Sequence, residues 1–291
     1  MRPLTLEDGV ILINKPKDYT SHDVVAVIKR ISKEKVGHTG TLDPNATGVL
    51  PLLIGKATGI SKYLINHDKT YIATLKLGIK TDTADGEGKV LEEKEVIDLE
   101  TGDIQIALNK LIGKQEQIPP MYSAIKVNGK KLYEYARQGK EVEVQARTIE
   151  IYDTKLVEFN KAEAEVVFEI SCSKGTYIRT VCEKVAENLN TIGFMKELRR
   201  TRVGEFEIKN TVNIEDIKNN LELLEENIIT IEKFFENKEQ IQLNDKELEL
   251  FLNGVKLSKD KENNIYRVYN NNKFIGLGVV EENKLKRDII I

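Results

Sequence analysis

Two stretches limit the folds open to this chain more than any other feature. From Tyr71 to Ile79, and again from Ala164 to Cys172, apolar side chains fall on every second position. A period of two puts them on one face of an extended chain, so each stretch predicts a half-buried strand. Val10–Asn14, closed by Lys15-Pro16, and Ile149–Val157 read as further strands. Leu50–Ile54 fits a buried strand or the start of a helix equally well. Between them lies helical spacing: Val24, Val25, Val27, Ile28 and Ile31 behind an N-cap at Thr20-Ser21, then Asp103–Ile112 and Thr180–Leu189. The two kinds of element alternate irregularly, which predicts an α+β fold: a mixed, largely antiparallel sheet with flanking helices.

A length of 291 residues suits two domains. After an acidic helical stretch at 212–238 the pattern changes near residue 239. A helix at Asp245–Asn253 and strands at Ile265–Asn270 and Phe274–Val280, joined by Asn271-Asn272-Lys273, predict a small, mostly β module over 239–291 behind a larger domain of 1–238. Within the larger domain, about 117–147 reads as an inserted surface element. It opens near Pro119-Pro120 and interleaves Tyr122, Tyr133 and Tyr135 with Lys126, Lys130, Lys131, Arg137, Lys140 and Arg147.

Net charge is −3, yet residues 1–80 carry +5 and 81–160 carry −5. Segregated charge lets one face be basic on an acidic protein, which permits a polyanionic partner. No run approaches the roughly 20 apolar residues of a membrane span. The N-terminus, interrupted by Glu7 and Asp8, does not read as a signal peptide, and two cysteines cannot build a disulfide framework, so a reducing cytoplasm is expected. His22, His38 and His67 lack metal-ligand spacing, and Asp82, Asp85 and Glu87 fall short of a calcium loop. P-loop, dinucleotide and nucleophile-elbow motifs are missing from the sequence.

Four segments remain. The loop Gly37–Gly48 packs glycines, threonines and His38 around Asp43. Loops of this kind concentrate function, although Asp43 could instead cap a helix beginning at Pro44. Ser173–Arg179 joins a strand to a helix and can aim Tyr177 and Arg179 into a cleft, or leave Tyr177 in the core and Arg179 solvated. Lys69-Thr70-Tyr71 opens a strand, where a lone tyrosine is ordinarily core. Leu198–Gly204 holds Arg199, Arg200 and Arg202, which suit phosphate contacts or a solvated basic turn.

GHTGTLDPNATGVLP, the early NKP, KTYIATLKLGIKTDTAD, PPMYSAIKVNGKKLYEYAR, SKGTYIRT and LRRTRVG occur in that order. Together they closely resemble the bacterial tRNA pseudouridine-55 synthase (TruB) family, from about Gly9 to Gly204. The tail is similar to that family's small C-terminal PUA-type domain only in size and place.

The resemblance implies an enzyme that isomerises uridine 55 in the T-loop of tRNA to pseudouridine, without cofactor or metal. It places the family's essential aspartate, a nucleophile on sugar or base, at Asp43, and its partner arginine at Arg179. The active-site tyrosine falls at Tyr71, which can stack on the uracil and move a proton, but needs help from its surroundings to act as a base. Tyr177 and Leu198 match positions lining the pocket of the flipped base, and His38 matches a residue contacting the RNA the base leaves. Lys15, Lys126, Arg199, Arg200 and Arg202 are expected RNA contacts, and the insertion is expected to close over the T-loop. The resemblance further implies action without a guide RNA, and since nothing in the sequence suggests a symmetric interface, a monomer that needs no protein partner is expected. The competing readings are a tRNA-folding chaperone with little catalysis, a guide-dependent synthase, and a protein in which every motif is structural.

Overall fold

A computed structural model describes residues 6–96, 98–140 and 142–291. They form two compact units. One holds the residues up to Pro44, Leu50–Ile65 and Lys209–Ile291; the other holds Asn45–Val49 and Asn66–Ile208. Strand Thr47–Ile54 therefore changes unit between Val49 and Leu50.

The second unit is built on the two alternating stretches. They become strands Lys69–Leu77 and Glu165–Cys172, which pair antiparallel with Tyr71 opposite Ile170. Arg147–Asn160 pairs on the far side of Glu165–Cys172, and Gly113–Gln117 beyond that, both antiparallel. On the other side of Lys69–Leu77 lies an antiparallel strand, Gly193–Val203, which touches Thr47 and Gly48 in parallel. The Leu198–Gly204 segment is thus mostly sheet and not a basic turn. Its apolar positions are too few for alternation to show. Helix Ile178–Asn188 buries Ile178, Val181, Cys182 and Val185, the three- and four-residue spacing that puts side chains on one face.

Gln117 and Arg147 are register partners, so residues 118–146 are one excursion from a single ladder. Inside it, strands Lys126–Val127 and Lys130–Lys131 form a tight hairpin. Its Asn128-Gly129 turn has φ of 50° and 82°, as the right-handed twist of paired strands requires. Helix Leu132–Ala136 follows.

In the first unit, strand Gly9–Lys15 pairs in parallel with Val212–Asn213 and antiparallel with Ile229–Thr230. Helix Ser21–Ser32 starts at the expected cap: Thr20 accepts from the Asp23 backbone, and Asp23 returns a bond to the Thr20 N–H. Such a cap contributes about 1 kcal/mol. Ile11, Ile13, Val24, Ile28, Leu50, Leu52 and Ile54 join Ile214 and Ile217 in one core. The ambiguous Leu50–Ile54 is strand, and its antiparallel partner is Val36–His38. Phe206–Glu207 is extended before a 3-10 turn at Ile208–Asn210.

The same unit contains a five-stranded sheet ordered Gln240–Gln242, Asn264–Asn270, Lys273–Glu281, Lys284–Ile290 and Leu257–Ser258. Helix Asp245–Leu252 seats Phe251 in its core with Ile241, Val268, Val280 and Leu285. Among the described residues no helix is long and apolar enough to cross a membrane.

Candidate active site

Asp43 sits half-buried in a loop whose backbone is held on both sides of it. Before it, the Ser21 hydroxyl accepts from the Leu42 N–H at 3.0 Å and donates to the Leu42 carbonyl at 3.3 Å. After it, the Pro44 carbonyl accepts from Lys15 Nζ at 3.0 Å and from the Asp18 N–H at 3.0 Å. Pro44 and Asn45 form a turn and strand starts at Thr47, so no helix follows and Asp43 caps none.

Lys15 is fully buried. Its ammonium also donates to the Pro16 carbonyl at 2.9 Å and to that of Tyr19. It therefore ties down the backbone beside Asp43, which corrects the expectation of an RNA contact. The lysine was read as surface because nothing local in the sequence signals three converging carbonyls. His38 is half-buried, with its ring edge-on to His22 at 5.5 Å between centroids.

In the second unit, cross-strand register selects the residues of one sheet face. Tyr71 lies opposite Arg200, and Ala73 opposite Leu198. Tyr71 and Leu198 are each 8% exposed, and Arg200 is 1% exposed. Arg200 donates Nε to the Val49 carbonyl at 2.8 Å and shares a hydrogen bond with the Tyr71 side chain. Burial pulls its pKa below the usual guanidinium range, and the bond to Tyr71 pulls the other way. This burial corrects the second RNA-contact expectation. Arg199 alternates to the exposed side, and Lys126 in the insertion is exposed as well. Arg202 is half-buried, bonded to Thr70 Oγ1 at 3.1 Å and to the Gly204 carbonyl at 3.2 Å. Lys69, two residues before Tyr71, is 7% exposed, and burial together with the Arg200 charge brings its pKa down to about 8.

Arg179 enters from the first turn of helix Ile178–Asn188 and is 5% exposed, not solvated. Its guanidinium donates to the Tyr122 carbonyl at 2.8 Å and to the Thr83 carbonyl at 3.3 Å, and stands 3.6 Å from the Asp85 carboxylate. Tyr177, half-buried, precedes that helix. The Gln117 side chain accepts from its N–H at 2.8 Å and donates to its carbonyl at 3.1 Å. Asp85 and Gln117 escaped the sequence reading. In the sequence Asp85 is only one acid of a loop short of a calcium site, and Gln117 only the opening residue of the insertion.

A buried cation fixed by several partners suits stabilisation of negative charge. A face carrying Tyr71 and Leu198 suits a flat base taken out of its stack. In the insertion, Tyr133 lies between Lys131 and Arg137, at 5.4 and 5.3 Å from its ring centre. Among the described residues no group of three His, Cys, Asp or Glu is placed to hold a metal ion.

Residues 29–178 match the TruB family pseudouridylate synthase N-terminal domain, more than half of the chain. The chain belongs to the TruB family. Residues 179–241 match the tRNA pseudouridylate synthase B C-terminal domain, and 240–286 match the C-terminal domain of TruB, pseudouridine synthase II. A Clostridium tetani protein named tRNA pseudouridine synthase B is 47% identical over 278 residues, 93% of this chain and 95% of its own. One of the same name from Clostridium perfringens is 44% identical over 293 residues, covering 98% and 99%. Among solved structures, a Cbf5-Nop10-Gar1 complex superimposes with a TM-score of 0.70 at 25% identity, over 98% of this chain and 84% of that one. An H/ACA RNP bound to a substrate RNA does so at 0.68 and 24%, over 97% and 85%. The TruB chain thus has the pseudouridine synthase fold expected of it, a mixed sheet with flanking helices and a small β domain behind.

Proposed function

We propose that this chain isomerises a uridine of tRNA to pseudouridine, and that its target is uridine 55 of the T-loop. Relatives named tRNA pseudouridine synthase B, aligned over nearly the whole chain, support the substrate and the reaction. The observation that carries the chemistry is the buried sheet face that holds both Tyr71 and Leu198.

Asp43 is the nucleophile. An attacking carboxylate must be ionised and aimed, and the Ser21 and Lys15 clamps fix the backbone that carries it. Arg179 supplies the positive charge that keeps such a carboxylate ionised, and its bonds to Thr83 and Tyr122 orient its fork. Tyr71 stacks on the extruded uracil and moves a proton during the rearrangement, while Tyr177 and Leu198 line the base pocket. His38 contacts the RNA at the place the base leaves, and Arg199, Arg202 and Lys126 meet its phosphates. The insertion closes over the T-loop, and the small C-terminal domain is a second RNA-binding part. The chain works as a monomer, with no cofactor, guide RNA or protein partner.

A second role in folding tRNA would use the basic insertion, where Lys131 and Arg137 flank Tyr133, and would not need Asp43. One comparison separates the two: pseudouridine formation on an unmodified tRNA transcript by wild type and Asp43→Asn, each with a tRNA-binding assay. Loss of the T-loop product with binding retained supports the enzyme. An active Asp43→Asn protein, or a wild type that binds and modifies nothing, overturns it.

A further inference from the structure

Arg200 is an expensive residue to place where it is. Among the described residues it heads the fully buried side chains by size. A guanidinium does not give up its proton in a protein, and burying a fixed charge costs several kcal/mol unless it is compensated. Two of its partners, the Val49 carbonyl and the Tyr71 phenol, are neutral in their ordinary forms.

The backbone is arranged to keep it there. Arg200 lies opposite Tyr71 on one side of its strand and opposite Gly48 on the other. Gly48 has φ +106°, and a Cβ there would come within 2.1 Å of the Arg200 carbonyl oxygen. The register with Lys69–Leu77 shifts between Arg200 and Arg202, a bulge that re-aims side chains at this point. A guanidinium only donates, so the Tyr71 oxygen is the acceptor in their bond.

We propose that Arg200 is a positioning residue for Tyr71: its guanidinium fixes the phenol ring, occupies one lone pair of its oxygen and supplies the counter-charge that lets this oxygen accept a proton from the rearranging base. The inference rests on the reading of Tyr71 given above as the group that moves a proton. In the isomerisation the N1–C1′ bond breaks and leaves its electron pair on the base; the C5–C6 pair then bonds C5 to the ribose C1′ while the N1 pair makes a C6–N1 double bond, so that C5 still carries its hydrogen. The C5–H bond breaks and the proton passes to the Tyr71 oxygen. The freed electron pair restores the C5–C6 double bond and moves the C6–N1 pair onto N1, which takes up one proton.

Two basic residues share the sheet face of Tyr71. Its own strand contributes Lys69 on the same face. Gly193–Val203 contributes Arg200, and Glu165–Cys172 presents the uncharged Ile170, with Cys172 opposite Lys69. Burial pushes that thiol up to about 11, which keeps it neutral. The helix packed on these strands carries Arg179, beside Asp85, and Glu183, whose carboxyl burial raises toward its neutral form.

The test uses the full chain labelled with 13C at the tyrosine ring, and Tyr71→Phe to assign the Tyr71 signal. NMR follows its titration in wild type, Arg200→Lys and Arg200→Met without RNA. The same proteins are assayed for single-turnover pseudouridine formation against pH, and for tRNA affinity. Tyr71 is expected to titrate below the ordinary tyrosine value of about 10 in wild type. It should titrate higher in Arg200→Met, whose turnover falls about 10- to 100-fold. That loss should be partly recovered at high pH, with tRNA affinity unchanged. Arg200→Lys, which keeps charge but cannot reach both partners in a fork, should fall between. A wild-type Tyr71 titrating at or above its ordinary value overturns the proposal, and this measurement stands even where an Arg200 variant does not fold. Unchanged titration in folded Arg200 variants overturns it too. A wild type that makes no pseudouridine removes the reaction assigned above, while the titration still decides whether Arg200 governs Tyr71.

Discussion

The carboxylate of Asp85 stands 3.6 Å from the guanidinium of Arg179, and the two side chains are only 9% and 5% exposed. Asp85 is itself fixed by the Thr83 hydroxyl at 2.5 Å and the Glu87 N–H at 3.2 Å. Asp85→Asn nearly keeps the shape and withdraws a counter-charge from a buried cation. Breaking such a pair costs about 3 kcal/mol, to be read from urea denaturation. The rate of pseudouridine formation should fall by at least about tenfold, with tRNA affinity retained. A variant as stable and as fast as wild type would show that the pair does nothing for Arg179.

Lys15→Met separates a clamp from an RNA contact. The ammonium serves the carbonyls of Pro16, Tyr19 and Pro44 from a fully buried position. Losing the donor from buried carbonyls should cost about 2–4 kcal/mol. The dependence of tRNA affinity on salt should stay as in wild type. A phosphate contact would instead lower the log–log slope by about 1.

Two glycine substitutions should have opposite signs. Gly48→Ala drives a methyl to 2.1 Å from the Arg200 carbonyl oxygen at φ +106°, against strand backbone that cannot swing away. It should cost at least about 3 kcal/mol or prevent folding. Gly102 lies in helix Thr101–Asn109 with nothing within 4 Å of a built Cβ. Gly102→Ala should stabilise by about 0.5–1 kcal/mol. Melting curves of the two variants check both.

Lys69 gives stability a measurable pH dependence. Burial, then the charge of Arg200, holds its folded pKa at about 8. An unfolded lysine titrates near about 10.4, so between these values the unfolded chain binds more protons and stability rises with pH. Measured against Lys69→Met, the wild type should gain up to about 3 kcal/mol as pH climbs through that window and nothing further below it. Urea midpoints of both proteins across the window decide it; a constant difference would mean that Lys69 is solvated.

Most of the scaffold was readable because it rests on local patterns. Alternation placed Lys69–Leu77 and Glu165–Cys172, and a Thr-x-x-Asp box placed the start of helix Ser21–Ser32. Strand Gly193–Val203 was not readable: its buried face holds Leu198 next to a buried arginine, so polarity and burial no longer agree. Lys15 and Arg200 were misread for the same reason. What buries them is carbonyls and a phenol brought in from distant positions, and nothing near them in sequence announces it. Asp43, Tyr71 and Arg179 are singled out by the family resemblance alone, because their neighbours in sequence do not mark them.

The two hydrogen bonds that the Gln117 side chain exchanges with the Tyr177 peptide imitate one rung of a sheet ladder. Gln117 is also the last paired residue before the chain departs into its basic excursion. The Tyr177 peptide is therefore anchored upstream of the hairpin and helix at Lys126–Ala136. Those residues form an exchangeable part: the hairpin can be lengthened, shortened or swapped while the Tyr177 peptide keeps its place.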